Sequence, residues 1–203
     1  MKQITHQEIR SLLTRWMPTG HEVFSDGTEL IGKVTHLGPF AWFHEIFAPS
    51  AEPNNNQLLH HIPNIFDFEI GKLLPLLNGM NLFSSHLYLY GVRSSYRRDG
   101  SIFQPWEITT HHCEETQNLQ GKKAIVFGGS HGLPDGISFV ENADLTIEAF
   151  DRKDWYRPMQ RWPNLHDFIR AEIARLSLLF DDFGKPVDNG VLADFEFGSK
   201  PVN

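Results

Sequence analysis

Apolar residues punctuate this chain at two different periods. Phe66, Ile70, Leu73, Leu74 and Leu77 fall close to helical spacing and predict one continuous apolar helix face from Ile65 onward. Asn78-Gly79 stops that helix, because glycine takes left-handed backbone at no steric cost and asparagine tolerates it. Pro75 costs about 3 kcal/mol relative to alanine inside a helix. It therefore predicts a kink, or a break into a second short turn. After a short apolar link, Leu87, Tyr88, Leu89 and Tyr90 put large side chains on both faces. That pattern predicts a strand buried on both sides.

The flanking chain reads in the same way. Residues 5–17 predict a first helix: Thr5 and Glu8 form a capping box, and Ile9, Leu12, Leu13, Trp16 and Met17 form its stripe. Pro18 ends it. Ser25-Asp26-Gly27 is a turn, and residues 30–37 read as a strand. Residues 40–47, FAWFHEIF, fit helix or strand equally. Residues 49–57 form a polar loop and 93–100 a basic polar loop with a turn at Asp99-Gly100. Ile102-Phe103 predicts a brief pairing, and Pro105 opens a helix to Gln117. Residues 123–127 are a short apolar strand, and 128–136 a glycine-rich turn. Residues 137–140 and 145–150 are two further strands, with Glu141-Asn142 between them. Residues 164–183 are the last and longest helix, capped by Asn164, with Asp167 near its positive end. Gly184 ends it, and Pro186 follows.

The order is thus helix, strands, helix, strands, helix. Short links between the late strands leave no room for crossover helices. The expectation is a mainly antiparallel sheet with helices packed on it, one α+β domain over residues 1–186, followed by a polar tail at 187–203. With 203 residues, 40% of them hydrophobic, the chain has ample material for one core. No apolar run approaches the roughly 20 residues of a membrane-spanning helix. The first ten residues read as polar and helical, not as a secretory signal. A single cysteine, Cys113, excludes an internal disulfide and points to the cytosol. The net charge of −7 repels phosphate backbones, which argues against nucleic acid and leaves room for a basic protein partner. An acidic surplus also serves solubility alone.

The helix ending in Asn78-Gly79, the apolar link through Leu82-Phe83 and the strand Leu87-Tyr88-Leu89-Tyr90-Gly91 resemble the centre of the SUKH superfamily. That group holds bacterial toxin-immunity proteins and their relatives, the yeast regulators of cell-wall synthesis. The C-terminal part is similar too, with Trp162 at the entry and Leu165, Phe168, Ile169 and Glu172 on the helix. The resemblance lies beyond residue 60. It implies a cytoplasmic, non-enzymatic immunity protein that binds and neutralises a toxin domain, commonly a basic nuclease or deaminase. It brings no catalytic residues and no cofactor. A regulatory or scaffold domain without a dedicated toxin is the near alternative.

The segment Gly128-Gly129-Ser130-His131-Gly132 matches the G-x-S-x-G nucleophile elbow, which needs a helix directly after the serine to aim amides at an oxyanion. Here Leu133, Pro134, Asp135 and Gly136 follow, which is turn chemistry. His166 as base, oriented by Asp144 or Asp151, would complete a triad. The competing reading is a glycine turn between strands. His60-His61 and His111-His112-Cys113 offer metal-binding atoms, yet adjacent side chains diverge, and only His111/Glu114 and His112/Glu115 could meet on a helix. Histidines in surface or core roles are the expectation, with no metal. Arg93, Arg97 and Arg98 read as solvated loop charge, and so do Asp181 and Asp182 near a helix end. For a protein partner, the candidates are Glu141, Asp144, Glu148 and Asp151, which partial alternation around the late strands could gather on one wet face.

Overall fold

Strands pair most readily with their sequence neighbours, and here they do so even across the long helical connections between β3 and β4 and between β5 and β6. The computed structural model describes residues 3–50, 56–93, 103–119, 121–131 and 136–187. Among them, nine strands run in sequence order across one sheet, every adjacent pair antiparallel. They are β1 (His21–Val23), β2 (Glu29–Lys33), β3 (Trp42–Ile46), β4 (Met80–Leu82), β5 (Leu87–Leu89), β6 (Ala124–Ser130), β7 (Ile137–Asn142), β8 (Ile147–Asp151) and β9 (Gln160–Trp162). The helices are α1 (His6–Leu12), α2 (Asn56–His61), α3 (Glu69–Leu73), α4 (Ile108–Glu115) and α5 (Leu165–Ser177). The domain is α+β, as the order of elements predicts.

Several boundaries differ from expectation, for local reasons. The first helix splits into α1 and a 3-10 turn, Thr14–Thr19, which contains Pro18. A proline at 18 would collide with the carbonyl four residues back in α geometry, so the turn tightens instead. The stretch after Ile65 likewise divides into a 3-10 turn, Ile65–Asp67, then α3, then a tight turn closed by the Leu76 and Leu77 amides on the Leu73 carbonyl. Its apolar stripe survives, with Ile70, Leu73, Leu74 and Leu77 all buried. Residues 40–47 resolve as strand β3. The helix expected from Pro105 starts at Ile108, where Glu107 accepts the Thr109 amide at 3.3 Å. The last helix closes at Ser177 rather than Phe183. The start of the expected glycine turn, Gly128 to Ser130, is buried strand. Glu141-Asn142 is strand rather than link. Strands β1, β4 and β9 and helix α2 were not anticipated. Residues 94–102, 132–135 and 188–203, with the loop, turn and tail expected there, lie outside the described residues.

One face of the sheet packs aromatic rings against α5. Phe127 and Phe139 meet Phe168 of α5 with ring centroids 5.8 and 4.6 Å apart, and Trp162 joins them at 4.9 Å. Glu141 points to this side too. Its carboxylate accepts the Glu69 and Ile70 amides at the start of α3, at 2.6 and 3.0 Å. Glu69 in turn accepts the Leu165 amide that opens α5, at 2.9 Å. Two helix starts are thereby tied to the sheet.

The Asn78-Gly79 stop forms a locked joint. The Asn78 side-chain amide pairs reciprocally with the backbone of Val92, donating to its carbonyl and accepting its N–H, both at 2.7 Å. Gly79 sits at φ +83, and a Cβ there would lie 2.7 Å from the Leu89 carbonyl oxygen. The link into β5 is left-handed at three consecutive non-glycine residues, Phe83, Ser84 and Ser85, with φ of 54, 50 and 74. Each such residue costs about 1–3 kcal/mol and persists only where its surroundings impose it.

Candidate functional site

The second face of the sheet is chemically different. Register partners Glu45, Asn81, Tyr88, Gly129, Ser138 and Phe150 form one row across six strands, β3 to β8. Near its centre lie residues from five places in the chain: Tyr88 and Tyr90 around β5, Trp106 and the α4 residues His111 and Glu115, His131 after β6, Ser138 on β7, and Arg152 after β8. Tyr88 and Tyr90 are two residues apart on an extended segment, so they share a face. Gly129 opposite Tyr88 makes room, since a Cβ there would meet the phenol oxygen at 2.5 Å.

Arg152 organises the cluster. Its Nε donates to Ser138 Oγ at 3.0 Å, and its Nη2 donates to the Tyr88 and Tyr90 hydroxyls at 3.0 and 3.3 Å. Nη2 also lies 3.4 Å from Glu115 Oε1. Ser138, fully buried, donates its hydroxyl proton to the other Glu115 oxygen. Aromatic rings wall this network. His111 stacks on Tyr90 at 4.5 Å and 12°, Trp106 lies 4.5 Å from Tyr88, and His131 lies 5.3 Å from Trp106 and 5.1 Å from Tyr88. Trp106 keeps 39% of its surface exposed.

Local structure explains each position. Gly91 N–H donates to the Trp106 carbonyl and Ile108 N–H to the Gly91 carbonyl, both at 2.9 Å, which holds Trp106 beside the end of β5. The Glu107 carboxylate caps α4 and also accepts the Arg93 amide at 2.9 Å. His111 and Glu115 are four apart on α4, so both reach the sheet. The left-handed turn holds His131, whose amide donates to the Ser85 carbonyl at 3.1 Å. Burial pushes both phenol pKa values up, Tyr90 furthest, and lowers those of His111 and His131. Near neutral pH the site therefore holds a guanidinium among neutral phenols and neutral imidazoles.

The acidic residues considered for a partner face do not share one. Glu141 pairs with Ile147, and Glu148 with Val140, so the two carboxylates point to opposite sides of the sheet. Glu141 has no exposed surface, which corrects the expectation of a wet face there. Its chemistry is spent on α3. Glu148 is largely buried and lies 3.8 Å from Arg161, which also binds the exposed Asp144 at 3.0 Å. Asp151 is half-buried and accepts the Lys153 amide at 2.8 Å.

The triad candidates are also apart in their bonding. Ser130 is 1% exposed and sits inside β6. His166 contacts Glu8 and Asp167, at 3.1 and 3.2 Å. It lines a cleft of about 210 Å³ with Gln3, Ile4, Glu69, Lys72, Leu73, Leu145 and Leu165. Asp144 accepts from Thr146 and Arg161. His111 and His112 diverge as expected: His112 is buried with Nδ1 accepting the Val126 amide at 3.2 Å, while His111 faces Tyr90. The His60 and His61 rings instead meet edge to face, with centroids 5.0 Å apart. His61 lies near the exposed Cys113, 3.9 Å from its sulfur. Among the described residues, no group of three His, Cys, Asp or Glu side chains is placed to hold a metal ion. No described helix is long and apolar enough to cross a membrane.

Residue types alone did not reveal the arginine cluster. The usable signal was the Tyr-x-Tyr spacing at 88 and 90; Arg152 and Glu115 carried none, because only the register brings them together. No protein-family model, curated protein or solved structure matches the chain.

Proposed function

We propose that the chain is a non-enzymatic binding protein whose partner is a protein, and that it acts as a cytoplasmic immunity protein neutralising a toxin domain. The observation that carries binding over catalysis is the state of the Arg152 cluster. Its hydroxyl groups are committed to one another's network: the Tyr88 and Tyr90 hydroxyls accept from Arg152, and Ser138 is buried out of a substrate's reach. Tryptophan, tyrosine and arginine, which meet here, are the residue types that dominate energetic hot spots in protein interfaces.

The immunity reading rests on the resemblance of segments 76–91 and 162–172 to the SUKH superfamily. The geometry supports treating Asn78, Gly79 and Gly91 as scaffold, because Asn78 stitches to Val92 and each glycine sits where a Cβ would press on backbone. A partner surface then has to lie elsewhere. The test is to identify any toxin-like domain encoded by a reading frame adjacent to this chain's and to co-express the two. Growth rescue and a complex that survives size-exclusion chromatography are expected. Unrescued growth together with no complex at low salt would reject the immunity role.

A further inference from the structure

We infer that the exposed edge of the Arg152 cluster is the docking hot spot, and that it takes an aspartate or glutamate side chain of the protein partner. This rests on the binding role proposed above and names the chemistry recognised. The argument is the balance of donors and acceptors. Both Glu115 oxygens are engaged, one by the Ser138 hydroxyl and one by Arg152. Among the described residues, the Arg152 Nη1 hydrogens and the Trp106 indole N–H make no hydrogen bond, although the guanidinium offers five donors. The arginine side chain keeps 29% of its surface accessible. Nη1 lies beside Gly136, where a Cβ would sit 3.4 Å away, at van der Waals contact. The surplus is thus of donors, one of them charged, on an aromatic wall. A carboxylate is the protein group that fits, because it accepts hydrogen bonds without needing to donate one and its charge complements the guanidinium at Nη1.

Backbone strain singles out the same edge. The left-handed turn at 83–85 is costly, and its Ser85 carbonyl fixes the amide of His131, whose ring packs on Trp106 and Tyr88. The overall charge of −7 does not oppose this. Net charge governs the approach of a basic partner, and a desolvated local pair governs how long it stays.

Two experiments test the inference. In the first, N-acetyl-glutamate N-methylamide is titrated into the full chain, and the Arg152 Nε–H and Trp106 indole N–H signals are followed by NMR. Saturable shifts with the glutamate compound and none with its glutamine analogue are expected. Equal responses to both, or none, would overturn the carboxylate assignment, whether or not a toxin partner exists. In the second, affinity for the adjacent toxin-like domain is compared across variants. Trp106→Ala, at a half-exposed position, is expected to weaken binding about 30-fold, and Arg152→Lys about 10-fold, while Asp144→Asn stays within about twofold. A complex insensitive to Trp106→Ala and Arg152→Lys would overturn the hot spot and leave the binding role standing. Absence of any wild-type complex would remove the proposed role, and the NMR titration would still decide the site.

Discussion

The two faces of the sheet divide the labour of this molecule. On one, Phe127, Phe139, Trp162 and Phe168 pack around a shared centre, and the Glu141 carboxylate ties down the start of α3. On the other, the same strands offer tyrosines, a serine and an arginine under a half-exposed tryptophan. Because side chains alternate along a strand, Leu89 and Tyr88 belong to different environments though they are neighbours. Both are buried, yet only one is buried among polar partners. The lesson is that burial alone does not mark a core: Ser138 and Phe139 are equally inaccessible, and only the bonding separates scaffold from site.

The sharpest way to break this contrast is to remove a ring from the first face. Phe168→Ala deletes a fully buried side chain that touches three other rings. A loss of about 4 kcal/mol is expected, from lost transfer energy plus the cavity. Chemical denaturation measures it, and a loss under about 1 kcal/mol would mean that α5 does not anchor the core. The joint between the faces comes next. Gly79→Val forces a β-branched residue to φ +83 with its Cβ against the Leu89 carbonyl, so a loss of about 3 kcal/mol is expected. An unchanged midpoint would remove the helix-stop role of this glycine.

What the sequence made legible followed from local rules. The Thr5 and Asn164 caps, the Asn78-Gly79 stop and the doubly buried strand at 87–89 each depend on a few adjacent residues, and each is present. Boundaries failed where tertiary packing outweighs local preference: Gly128 and Gly129 read as turn, yet they are strand because Tyr88 needs the space that their missing side chains leave. Strands of three residues, such as β4 and β9, are too short for periodicity to register. The candidate site was the least legible part, since Arg152 reaches partners 62 and 64 residues away in sequence. Glu141 was misassigned for a related reason. A link at 141–142 would let its carboxylate face solvent, whereas β7 continues through these residues and turns it inward.

That inward turn makes a pH prediction. Burial raises the Glu141 pKa to about 7 from its ordinary 4.5, and the Ile70 and Glu69 amides offset only part of the shift. Glu69 and Lys72 are the charged groups nearby, the first raising and the second lowering it. The sign follows from linkage. With the folded value above the unfolded one, the folded state holds the extra proton between the two. The contribution is fully present below about pH 4.5 and lost as pH rises through about 7. At 1.36 kcal/mol per unit, wild-type stability relative to Glu141→Gln should fall by about 2–3 kcal/mol over that window. Urea denaturation of both proteins from pH 4.5 to 7.5 measures it. A flat or rising difference would mean that the α3 amides outweigh burial.

The smallest expected effect is none at all, and it concerns Ser130. A nucleophile must present its hydroxyl to a substrate, with a base in hydrogen-bond reach. Ser130 is instead a strand residue, its backbone in register with Ile137 and 1% of its surface exposed. His166 is bonded to Glu8 and Asp167, Asp144 to Thr146 and Arg161, and Asp151 to the Lys153 amide. Assembling a triad would require breaking those contacts and opening the paired strands β6 and β7, against the full cost of their ladder. Incubation with a fluorophosphonate probe should therefore leave the intact mass unchanged, and Ser130→Ala should bind the partner as tightly as the wild type. Stoichiometric labelling that disappears in Ser130→Ala would replace the binding reading with a serine hydrolase. It would also show that the face assigned here to scaffold opens in solution.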